Sequence, residues 1–83
     1  MRALRDIVEE RERQYEKWGV QRHEWGDWMA ILGEEYGEAC KATVEHVFRE
    51  SPLTDVRQEL IQLAAVAVQI VEHIDRHQEG GGE

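Results

Sequence analysis

The sequence predicts an all-α fold, a three-helix subunit that forms a helical bundle by dimerisation. Three observations predict it. Apolar residues recur at helical spacing in three separate stretches. The breaks between them carry glycine and Ser-Pro signals. No stretch alternates apolar and polar residues for long enough to make a strand.

The first helix is expected over about Ala3 to Lys17. Leu4, Val8, Arg11, Tyr15 and Trp18 share one stripe, and the intervening Glu and Arg residues favour helix. Gly19 is the stop. Val20 to Gly26 is a connector rich in aromatic and polar groups. The second helix is expected from Asp27, a good N-cap residue, to about Phe48, with Trp28, Leu32, Tyr36, Ala39, Thr43 and Val47 as its apolar stripe. Ser51-Pro52 opens the third helix, which runs to about His77. The single domain is expected over residues 1–78. The segment 79–83, with Gly80-Gly81-Gly82, reads as a disordered tail.

Length and charge set limits on function. The chain has 83 residues, 18 acidic and 10 basic, with a formal net charge of −8. One small domain fits this length, and its own core would be marginal. The acidic balance argues against binding a nucleic-acid backbone or an anionic membrane. It suits a binder of hard cations such as Mg²⁺ or Mn²⁺. The only cysteine is Cys40, so no intrachain disulfide forms, and Cys40 reads as a small apolar filler at the core edge. The charged N-terminus shows no signal peptide. Leu60 to Val71 is too short an apolar run to span a bilayer. The expectation is a cytoplasmic protein.

Between Leu60 and Val71 nearly every position is apolar. A helix that is apolar around most of its girth is buried on most sides, and two short companions cannot surround it. A second copy of the chain is therefore expected, packed across a two-fold axis.

On a helical wheel Glu35 lies about 60° and Glu38 about 120° round from Leu32, on a strip beside the apolar stripe. Glu34 lies further round, one turn from Glu38. Like charges at i,i+4 repel, and more so when partly buried without a cation. On the third helix Asp55, Glu59, Gln62, Gln69 and His73 fall within about 80° of one another, a polar seam on an otherwise apolar element. Acidic runs are ordinarily solvated faces, but solvation does not explain a polar seam inside an apolar helix. Facing carboxylates and this seam are a setting for divalent metal ions and phosphoryl chemistry. Gly33 and Gly37 flank the acids and suggest a face kept thin for close helix approach or ligand access. His46, His73 and His77 read as surface histidines. No Glu-x-x-His pair and no P-loop are present.

Glu34-Glu35-Tyr36-Gly37-Glu38, followed 21 residues on by Glu59-Leu60-Ile61-Gln62, resembles the EExxE…ExxD signature of MazG-like all-α nucleoside triphosphate pyrophosphohydrolases. Arg11 to Gln14 and Lys17-Trp18-Gly19-Val20-Gln21-Arg22-His23 resemble the N-terminal segment of a phage and bacterial branch that includes enzymes acting on purine deoxynucleoside triphosphates. The likeness spans about Glu9 to Glu72. It implies an intertwined homodimer, or a homotetramer built from two. It implies hydrolysis of a nucleoside triphosphate to monophosphate and pyrophosphate. It also implies Mg²⁺ or Mn²⁺ held by the matching acids, here Glu34 or Glu35, Glu38 and Glu59. The motif's final Asp is Gln62, an uncharged and weaker ligand, and Asp55 one turn before Glu59 is a substitute carboxylate.

On this reading Glu35, Glu38 and Glu59 hold metal, while Glu34 completes a metal shell or takes the proton from the attacking water. Lys17, Arg13 and Lys41 are the cations for phosphate, although Lys41 has Glu38 and Glu45 as ordinary partners. Trp18, Gln21, His23 and Trp25 offer an indole to stack on the base, and amide and imidazole to bond its edge. Ordinary packing of aromatics over the bundle end is the competing explanation for Trp25 and Trp28. Two other functions fit the same residues: a non-catalytic helical interaction module, and an enzyme acting on another phosphoanhydride.

Overall fold

Each helix ends where the backbone requires it. Helix α1 (Arg2–Trp18) stops at Gly19, whose φ of 68° is open to glycine at little cost, and the Gly19 N–H donates back to the Tyr15 carbonyl at 2.7 Å. Helix α2 (Trp25–Arg49) ends at Glu50, a non-glycine residue in the left-handed region at φ 58°. The Ser51 N–H closes that turn on the Glu45 carbonyl at 3.2 Å, and the His46 Nδ1 lies 2.7 Å from the Ser51 carbonyl. Helix α3 (Leu53–Glu79) begins directly after Pro52, whose carbonyl accepts the Asp55 N–H. The computed structural model describes residues 1–79, and no strand occurs among them. The expected tail lies outside the described residues, apart from Glu79, which closes α3.

The start of α2 is a correction. It begins at Trp25 with Glu24 as N-cap, two residues before Asp27, because the Glu24 carbonyl already accepts the Trp28 N–H at 3.0 Å. Asp27 sits instead in the first turn, where its charge favours the positive helix end.

The three-residue turn between α2 and α3 makes them an antiparallel hairpin. α3 is the central element: α1 and α2 both pack on it and not on each other. The core is Trp28, Val66 and Ile70, with Ile31 and Leu32 against it. Beyond these, Ala39, Ala42 and Ala65 complete the buried apolar set among the described residues. No described helix is long and apolar enough to cross a membrane.

The packed faces differ from the expected stripes. On α2 the buried residues are Trp28, Ala39 and Ala42, and they centre on Glu35, whereas Tyr36 and Val47 are 63 % and 61 % exposed. The alanines explain the rotation: their small side chains let α3 approach closely on that side. On α1, Leu4, Val8, Tyr15 and Trp18 are exposed, and the helix docks through polar groups. Arg11 donates from Nε and a terminal nitrogen to Glu72 Oε1 at 3.0 and 2.6 Å, and from its other terminal nitrogen to Gln14. Arg57 on α3 donates to Asp6 at 2.7 Å, and this bond holds the Asp6 carboxyl below its usual range. Together the two pairs set α1 running in the same direction as α3. Gly33 and Gly37 face open space, so nothing within the chain requires a thin helix there. Cys40 is exposed rather than a filler.

Candidate metal centre

Glu35 occupies the middle of the α2 face that packs on α3. Burial is the main force raising its carboxyl above the ordinary range, and the neighbouring charges of Glu59, Glu38 and Glu34 add to it. Four carboxylates are thus brought into one electrostatic group by two helices. The Glu35 Oε2 is buried and has no hydrogen-bond partner. Such an atom is costly to leave without a donor or a cation.

Next to Glu35, Glu38 and Glu59 line a recess of about 230 Å³ together with Lys41, Glu45, Asp55 and Gln58. Asp55 therefore does stand at the cluster. Glu45 was visible only as a partner for Lys41, yet Glu38 and Glu45 lie seven residues apart on one helix face, which was the available signal. Lys41 makes no ion pair among the described residues. Gln62 is half-buried one turn beyond Glu59 and does not line the recess. Among the described residues no three acidic, histidine or cysteine side chains converge closely enough to enclose an ion. The donor set suits a hard, oxygen-loving cation in chemistry and charge, with the carboxylates standing apart.

The expected base and phosphate residues gather elsewhere. Gln21 accepts a hydrogen bond from Gln69 Nε2 at 2.9 Å, and His23 meets the edge of the Trp28 ring at 4.7 Å. Gln69 is ten residues beyond Glu59, about 15 Å along α3. Trp18 is exposed, with the Lys17 ammonium 4.9 Å from its ring centroid, so one indole face already carries a cation. Arg13 is paired with Glu10. Within the chain, then, the acids come together and the connector residues do not join them.

The seam on α3 is a further correction. Gln69 and His73 are buried, but Gln21 and the rings of Trp25, Trp28 and His77 surround them, not the acids of α2. His73 is consequently no surface histidine. His46 is half-buried and tied to the α2–α3 turn. An open trough of about 1050 Å³ between α1 and α3 was not legible in the sequence. Its walls include Leu4, Val8 and Tyr15 of the α1 stripe. Comparisons of the chain with protein-family models, with curated proteins and with solved structures find no match.

Proposed function

We propose that the chain hydrolyses a purine (deoxy)nucleoside triphosphate to the monophosphate and pyrophosphate, with Mg²⁺ or Mn²⁺, as a homodimer. One observation carries this reading. Glu35 places an unpartnered, buried carboxylate oxygen among three other carboxylates, where a divalent cation relieves both the burial and the repulsion. The likeness of Glu34 to Glu38 and Glu59 to Gln62 to the MazG-like signature supports the same residues. A bound metal supplies charge neutralisation for phosphate oxygens and an activated water. Glu35, Glu38 and Glu59 would hold it, and Gln62 or Asp55 would complete the oxygen set. Glu34, which is exposed, would complete the shell or accept the water's proton. Water adds to the α-phosphorus and pyrophosphate leaves, so atoms and charge balance without a further reactant.

Gln62 and the unconverged carboxylates favour a second reading, a helical module without catalysis. Manganese binding separates the two. Thermal unfolding should shift upward with millimolar Mn²⁺ for the native chain and not for Glu38→Gln. Equal shifts in both proteins would remove the metal assignment.

The dimer rests on a second face of the hairpin. Trp25, Met29, Tyr36 and Val47 form an exposed apolar strip on α2, about 100° round from the face packed on α3. Leu53, Leu60 and Val71 form another on α3, about 110° round from its α2-facing side in the same rotational sense. In an antiparallel pair, equal rotations in that sense bring both strips to one side. α1 covers α3 from the other side, through Glu72. Two such faces apposed make a four-helix bundle, and Gly33 and Gly37 border the strip where a partner helix would come close. Sedimentation of the native chain should give twice the chain mass, and a Tyr36→Asp, Leu60→Asp double variant should give the single mass. A native chain that sediments as one copy would contradict the dimer. Trp18→Ala should raise KM most for the preferred base, because only the indole face away from Lys17 is free to stack. An equal rise for every base would remove that role.

A further inference from the structure

We propose that His73 is an acid-released latch: its neutral imidazole keeps the connector of residues 19–24 docked on the hairpin, and its protonation frees the connector. This does not depend on the reaction proposed above.

The geometry begins with burial. His73 lies on α3 with only 6 % of its surface exposed. Its ring packs against Trp25 at 5.3 Å, Trp28 at 5.4 Å and His77 at 4.4 Å between centroids. Trp28, fully buried, is in turn met edge-on by His23 of the connector at 4.7 Å. The Trp28 indole therefore touches both the connector's imidazole and that of α3. One turn before His73, Gln69 holds Gln21. Both attachments of the connector thus meet α2 and α3 beside one buried imidazole.

The charges around it all have one sign. The connector presents Arg22 and His23, and α3 presents Arg76 and His77. The residues of α2 in contact are the uncharged Trp25 and Trp28, and none of the groups acting on His73 comes from α1. Among the described residues no carboxylate lies within 4 Å of it. A proton on His73 would be disfavoured by the burial of the ring and repelled by these neighbours. Burial first, then these cations, push its pKa below the ordinary 6.5. A base whose folded pKa is depressed stabilises the docked state fully above its unfolded value. That stability is lost as pH falls from 6.5 toward the folded value, because the released form binds more protons in this window.

The test is a pH titration of the full chain, followed by tryptophan fluorescence and by histidine ring NMR signals. Between pH 7.5 and 5, fluorescence should change reversibly while the far-ultraviolet helix signal stays constant. The His73 ring should titrate below pH 6.5, and amide exchange in residues 20–24 should rise in step. His73→Phe should abolish the fluorescence step. His77→Asn should keep it and move its midpoint to higher pH, because one repelling neighbour is gone. If His73→Phe does not fold, the native ring titration decides alone. A His73 that titrates at or above 6.5, or a connector whose exchange ignores its titration, would overturn the latch.

Discussion

Glu35→Gln is expected to make the protein more stable and inactive at once. The carboxyl sits at a packed helix face, raised by burial and by the charges of Glu59, Glu38 and Glu34. A glutamine keeps the shape and removes the charge, so the metal-free chain gains stability at neutral pH. The sign follows from linkage: a carboxyl with a raised folded pKa weakens the fold once ionised, and the penalty disappears when both states are protonated. The gain over the native chain should therefore be present at pH 7 and fade below about pH 4.5, the ordinary glutamate value. Turnover should fall by at least about 100-fold, as expected when a direct ligand is lost where even outer-shell changes cost 10–100-fold. Parallel thermal melts at pH 7 and pH 4, with pyrophosphate release at pH 7, read both effects. A variant less stable than the native chain at pH 7 would show that Glu35 is a structural partner and not a strained ligand.

Trp28→Ala is expected to unfold the chain. Among the described residues Trp28 is the one large side chain with no exposed surface, and it joins α2 to Val66, Ile70 and His73 on α3. Truncating a buried tryptophan costs about 3–5 kcal/mol. Small domains have only about 5–15 kcal/mol in total. The remaining core, largely alanine, cannot close over such a cavity. The indole N–H has no partner, so Trp28→Phe loses no hydrogen bond and should stay folded. Trp25→Ala, at a half-exposed ring, should cost much less. Urea unfolding followed by helix content ranks the three. A Trp28→Ala protein that unfolds at the native urea midpoint would show that the fold is held elsewhere.

The helices themselves were legible because their signals are local. Gly19 and Pro52 act within one turn, and the apolar period needs no partner to be read. The packed faces were less so. α2 carries two apolar strips, one through Trp28, Ala39 and Ala42 and one through Tyr36 and Val47. Periodicity alone does not say which strip meets α3 and which is left for another chain. Likewise the α1 stripe does not say that Leu4, Val8 and Tyr15 stay exposed while Arg11 and Asp6 dock the helix by charge. The acid group was legible to the extent that α2 and α3 each present their acids on a single face, which brings the charge of Glu59 to bear on Glu35. The burial of His73 was not. It depends on Trp25 and Trp28, more than 40 residues away in the chain, and no local pattern announces that contact.

The most direct measurement is of products. The purified chain would be incubated with a panel of nucleoside triphosphates and Mg²⁺ or Mn²⁺, and pyrophosphate and orthophosphate would be assayed separately. Equal amounts of nucleoside monophosphate and pyrophosphate, fastest with a purine and lost on chelation, are predicted. Orthophosphate alone, or no product with any triphosphate, would contradict it.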